Sequence, residues 1–206
     1  MNHSLKLGLG VVAASFLATA AQAVTFSVTD IDGVWDNTVL SDTTTASGET
    51  TSSIRWGGTN AQFPTQSGYD FIAEATPLTL QENDLFILGT FNHLNFPVFR
   101  PSLESTDLEV EIAGDADGVG FTFNSVFNID HFETPNRANP CALPGTVLPC
   151  PDQVSFGNIE DSSQTVSVGG VDYTLQVVGF VLDPMNITSF AQEFVTLEGQ
   201  ENEAYI

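Results

Sequence analysis

Two histidines, two cysteines and a large excess of carboxylates are the chemically able side chains in the body of this chain. His93 and Asn95 stand in Leu88-Gly89-Thr90-Phe91-Asn92-His93-Leu94-Asn95-Phe96-Pro97-Val98. In an extended strand His93 and Asn95 share one face and Leu94 and Phe96 the other. Pro97 then ends the strand or leaves it at an edge. With Asn92 they make a candidate ligand or metal site, completed by His131 and a carboxylate such as Asp130 or Glu133. The alternative, preferred here, is a structural histidine whose hydrogen bond pins the strand to a neighbouring loop, because histidines distant in sequence carry no ligand spacing. Asp115-x-Asp117-Gly118 and Asp30-x-Asp32-Gly33 resemble the opening of a calcium loop, where alternate oxygens and a glycine bend backbone around the ion. Neither has the rest of the EF-hand spacing. Asp and Gly also favour a plain β-turn for backbone reasons. Calcium at Asp30, Asp32, Asp115 and Asp117 is therefore the candidate cofactor, weighed against ordinary turns.

Other chemistries find less support. No Gly-x-Ser-x-Gly nucleophile elbow occurs, and no glycine-rich phosphate loop. Nothing among the many carboxylates selects a pair for glycoside hydrolysis. Trp35, Trp56 and Tyr69 have the faces to stack on sugars, but the same residues suit a β-sandwich core. Cys141 and Cys150 lie within a run holding Pro140, Pro144, Pro149 and Pro151. So many prolines exclude helix and central strand there. With no histidine between the two cysteines, a disulfide-stapled loop is expected rather than zinc.

Residues 1–23 read as a secretory leader. A basic start at Lys6 precedes the apolar run from Leu7 to Leu17, and small residues at Ala21 and Ala23 suit cleavage before Val24. That run is too short for a membrane span. An exported bacterial protein, secreted or at the cell surface, is expected, with residues 24–206 as a single domain. The formal charge is −22, and removing the leader with Lys6 leaves Arg55, Arg100 and Arg137 as the only strong cations. Such a balance excludes nucleic acid and anionic membrane as partners, since both need cations to displace counterions. Hydrophobic content of 42% with 16 phenylalanines argues for a packed core rather than disorder.

The elements that must position these residues are strands. The residues 24–206 are rich in Val, Thr, Phe, Gly, Asn and Asp, and helical periodicity is nearly absent. Gln164–Val168 and Val171–Leu182 flank Gly169-Gly170, which supplies the positive φ angles of a tight hairpin. Leu108–Ile112 alternates cleanly, Gly114–Gly118 turns the chain, and Val119–Phe123 runs back. Further expected strands are Phe26–Thr29, Ser52–Trp56, Asp84–Asn92, Val126–Phe132, Gln153–Phe156 and Glu193–Leu197. Thr38–Thr51 is expected as a loop or an edge. The sum is all-β, an antiparallel β-sandwich, jelly-roll-like or Ig-like, with long loops.

The segment around His93 resembles the signature LGTFTHxNFPI of the THxN family of exported bacterial proteins and the related choice-of-anchor surface domains. Further matching pieces are Trp56-Gly57-Gly58, Ser67-Gly68-Tyr69, Glu133-Thr134-Pro135-Asn136, Pro149-Cys150-Pro151-Asp152 and Leu197-Glu198-Gly199-Gln200-Glu201-Asn202. The signature threonine is Asn92 here. The family usually carries a PEP-CTERM sorting tail. This chain reaches Ile206 without a Pro-Glu-Pro motif, apolar tail or terminal arginine cluster, so either truncation or release without an anchor is expected. The resemblance implies an exported β-rich surface or matrix protein and no catalytic residue. The functional expectation is a non-catalytic scaffold contacting matrix polymer, cell-surface components or itself. A carbohydrate-binding module is the alternative, and a secreted hydrolase a more distant one.

Overall fold

The computed structural model describes residues 24–158 and 164–206, so the expected leader lies outside the described residues. The described chain forms strands and no helix. Six strands make one antiparallel sheet: β1 (Thr25–Leu40), β4 (Leu78–Gln81), β6 (Leu103–Ala116), β7 (Val119–Phe132), β8 (Asp152–Asn158) and β13 (Glu193–Thr196), in the order β13-β8-β7-β6-β1-β4. Six more make a second: β2 (Ser53–Trp56), β3 (Ser67–Ala73), β5 (Gly89–Asn95), β11 (Phe180–Val181), β12 (Phe190–Ala191) and β14 (Gln200–Tyr205), in the order β12-β11-β14-β5-β3-β2. A separate hairpin joins β9 (Gln164–Val168) to β10 (Val171–Leu175). The expected all-β sandwich is what the chain forms.

Side-chain alternation explains the long strands. From Val119 to Phe132 inward and outward positions alternate, with Phe121, Phe123, Ser125, Phe127, Ile129 and His131 facing in. The two strands expected in this region are therefore one; Asn124-Ser125 looks like a break only because two adjacent residues are polar. The turn into β7 is the two-residue pair Asp117-Gly118, at φ 49° and 86°. Those left-handed angles match the right-handed twist of the flanking strands. β1 runs far beyond the expected Phe26–Thr29, with a register shift between Val28 and Asp30.

Both sheets feed one hydrophobic cluster. Trp35 from β1 meets Tyr69 from β3 at 5.3 Å and Phe91 from β5 at 5.5 Å between ring centroids. Fully burying such side chains contributes roughly 1.5–3 kcal/mol each. Gly33 lies where Phe71 of the facing sheet packs on β1; an added Cβ would sit 2.4 Å from Phe71 Cδ1. Residues 30–33 are thus strand rather than turn, and the glycine makes room for an aromatic ring. The chain changes sheets at Leu197–Gly199, between β13 and β14, and this crossing brings the motif segments together.

Candidate functional site: a buried polar cluster between the sheets

The six motif segments set apart in the sequence meet at one end of the sandwich. β5 delivers His93 and Asn95 there, β7 delivers His131, and the start of β8 delivers Asp152. Residues Glu133–Asn136 follow β7, and Thr196–Glu198 form the corner between the sheets. His93 and Asn95 share the inward face of β5 with Phe91, while Leu94 lies on the outer, half-buried face. The strand stops before Pro97, and it is internal to its sheet, between β14 and β3.

His93 has no exposed surface (0%). Its ring stacks on Trp56 at 5.8 Å and 26°, and meets Tyr69 edge-on at 5.0 Å and His131 at 5.1 Å. Its Nδ1 shares a hydrogen bond of 2.9 Å with Thr196 Oγ1, on β13 of the other sheet. Asn95 Nδ2 donates to the Thr196 carbonyl at 3.1 Å. The pair therefore ties sheet to sheet, a longer reach than the expected strand-to-loop pin. Asn92 is buried in the same strand, opposite Asp70 and Glu203 in register. Ser67, Gly199 and Asn202 fasten the backbone around the motif: Ser67 Oγ donates to Phe96 O at 2.7 Å, and Gly199 N to Asn95 O at 2.7 Å. Asn202 Oδ1 accepts from Leu197 N at 2.7 Å, holding the corner shut.

A second chain of polar contacts runs beside the first. Tyr69 Oη and His131 Nδ1 are 2.5 Å apart, and His131 Nε2 lies 3.3 Å from Glu133 Oε2. Asp152 Oδ1 accepts from Thr134 N at 2.7 Å, and Thr134 Oγ1 donates to the Pro151 carbonyl at 2.9 Å. Asp152 Oδ2, His93 Nε2 and both Glu198 carboxylate oxygens are buried with no hydrogen-bond partner in the protein.

Burial sets the electrostatics. It is the main reason Asp152 is pushed up to about 7, with the Glu133 charge adding to it. His131, the Thr134 amide and the Asn95 side chain pull the other way. Burial, then Asp152 and Glu133, raise Glu198 to about 8, against a lowering influence from Asn136. Burial and the neighbouring His131 hold His93 well below the usual imidazole range, so it stays neutral. Burial and the nearby carboxylates raise the Tyr69 phenol well above its usual value. The Tyr69–His131–Glu133 chain has the outline of acid–base machinery, with Tyr69 wholly enclosed and the Glu133 side chain partly exposed at its far end.

His131, Glu133 and Asp152 each present a ligand atom within 4.8 Å of the others. Asp130, the other carboxylate considered with His93, is exposed on the opposite face of β7 and does not join them. Asp115 and Asp117 are engaged in their own turn: Asp115 Oδ1 accepts from Gly118 N at 2.7 Å, and Asp117 Oδ1 from Thr25 N at 3.4 Å. Asp30 and Asp32 are exposed on β1, and Asp32 Oδ1 accepts from Gly33 N. Among the described residues none of these four joins a converging group of metal-ligand atoms. Trp35, Trp56 and Tyr69 are core residues. The Cys141–Cys150 disulfide is formed and closes the loop between β7 and β8. Thr196 is the partner that residue-by-residue reading missed. Asp152 and Glu198 lie within the matching motif pieces, which were the available signal for them.

Comparison with known proteins adds no relative: no family model matches the chain, and no curated protein is significantly similar to it.

Proposed function

We propose that this chain is an exported, non-catalytic β-sandwich scaffold of the THxN type, working at the bacterial surface or in the extracellular matrix. One observation carries the reading. The residues best equipped for chemistry, His93, Tyr69 and Asp152, are enclosed between the sheets and hold them together. Side chains so placed serve the fold, which leaves the acidic exterior as the working surface. The disulfide supports an oxidising destination. Trp35, Trp56 and Tyr69, the candidate sugar platform, are buried, which weighs against the carbohydrate-binding alternative.

The test is to produce the leader-bearing chain in a Gram-negative host and in parallel to add the purified protein to isolated matrix and to cells. The proposal expects a processed chain beginning at Val24 outside the cytoplasm, retained by matrix or cells, with no hydrolysis of matrix polysaccharide. Cytoplasmic retention of the full-length chain, or turnover of a polysaccharide abolished by His131→Ala, would overturn it.

A further inference from the structure

We propose that His131, Glu133 and Asp152 bind one divalent transition-metal ion of the zinc class, through His131 Nε2 and one oxygen from each carboxylate. The inference stands apart from the scaffold reading. Three observations carry it. The three ligand atoms lie within 4.8 Å of one another. The 3.3 Å separation of His131 Nε2 and Glu133 Oε2 equals the edge of a tetrahedron with metal–ligand bonds of about 2.0–2.1 Å. Any wider pair closes by at most about 1.5 Å to the same edge. Asp152, with no exposed surface, keeps Oδ2 without a hydrogen bond, and the nearby Glu198 carboxylate has the Asn136 side chain as its polar neighbour and no cation. Buried anions left in this way are stabilised by a cation or a proton. Among the described residues, the arginine ion pair is Arg55 with Asp70, and no lysine or arginine pairs with Glu133, Asp152 or Glu198.

The tautomer of His131 fits either state. Without metal, the tautomer protonated on Nε2 lets Tyr69 donate its hydroxyl proton to Nδ1 and turns Nε2–H toward Glu133. With metal on Nε2, the ring proton moves to Nδ1 and is donated to the Tyr69 oxygen, which takes the place usually held by a carboxylate, backbone carbonyl or water. Two carboxylates and a neutral imidazole balance a divalent charge. An imidazole nitrogen among so few ligands suits zinc and its neighbours, whereas calcium takes 6–8 oxygens. The ion would join the end of β7 to the start of β8, closing the base of the loop that the Cys141–Cys150 disulfide staples. It would serve structure, since two of its three ligands, His131 and Asp152, are buried against the core.

The test uses the whole processed chain, stripped with chelator and titrated with Zn²⁺, with Ca²⁺ and Mg²⁺ as controls. Native mass spectrometry, calorimetry and thermal melts are the readouts. One equivalent of Zn²⁺ should bind and raise the melting temperature, and calcium at the same concentration should not. Glu133→Gln and Asp152→Asn should each weaken zinc by at least about 100-fold, beyond the 10–100-fold typical of losing an outer-shell partner. If Asp152→Asn fails to fold, Glu133→Gln decides, because the Glu133 side chain is partly exposed. Absence of saturable zinc binding by the wild type, an unchanged affinity in Glu133→Gln, or an equal response to calcium would each overturn the site.

Discussion

β5 and β7 each run from an apolar end of the sandwich to a polar one. At the first, Leu88, Phe121 and Phe123 line a cavity of about 460 Å³, with Phe26, Leu80 and Tyr173 on its walls. At the second, the same two strands deliver His93, Asn95 and His131 into a buried, hydrogen-bonded cluster. The apolar end is held by non-directional contacts that leave room. The polar end is held by directional bonds between sheets that tolerate little change of shape. One sandwich thus uses two kinds of adhesion, and the polar kind coincides with the motifs. Where hydrogen bonds fix geometry, residue identity is constrained; where burial alone suffices, size and polarity are enough.

Substitutions at the two ends should differ in cost. His93→Ala removes a stacked ring and leaves Thr196 Oγ1 without it, so a loss of about 3–5 kcal/mol is expected in denaturant unfolding. Phe123→Ala borders existing space and should lose about 2–3 kcal/mol, below the usual 3–5 for a packed phenylalanine. Equal losses would end the contrast. Opening the disulfide by Cys141→Ala with Cys150→Ala should lower stability by about 2–3 kcal/mol on chain-entropy grounds. That loss bears on the loop beside the polar end.

pH separates the ends further. Asp152 and Glu198 have folded-state values of about 7 and 8, above their ordinary 3.8 and 4.5. The folded chain then holds protons that the unfolded chain has released, so stability falls as pH rises between those values. His93, depressed by burial, acts oppositely: its contribution is complete above 6.5 and is lost as pH falls below it. Between pH 6.5 and 8.5, in chelator-treated protein, melting temperature should therefore decline. Glu198→Gln should flatten the upper part of that decline, whereas Phe123→Ala should leave its slope unchanged. Smallest of all, calcium at matched ionic strength should stabilise no more than sodium through Asp30, Asp32, Asp115 and Asp117, since screening of the acidic surface acts for both salts. A calcium-specific gain abolished by Asp115→Asn with Asp117→Asn would show that the turn does more than bend the chain.

The apolar end and the sheet class are legible in the sequence because alternation is a local signal. Leu108–Ile112, Val119–Phe123 and the Gly169-Gly170 hairpin declare themselves by spacing. β14 does not: Gln200–Tyr205 is mostly polar, with Ala204 its buried residue, and it is a strand because β5 and β11 supply backbone partners. The polar end is half legible. Its segments stand out as motifs, but that His93 reaches Thr196, 103 residues away, depends on the chain changing sheets at Leu197–Gly199. Asp30-x-Asp32-Gly33 and Asp115-x-Asp117-Gly118 look alike in sequence, yet one is strand beneath Phe71 and the other a hairpin turn. Only the facing sheet distinguishes them.

The central claim is that the motif residues form a bond between the sheets. A double-mutant cycle of His93→Ala and Thr196→Val, measured by urea unfolding, tests it most directly. The contact predicts a coupling of about 1–3 kcal/mol. Losses that add within roughly 0.3–0.5 kcal/mol, as for sites that do not touch, would contradict it.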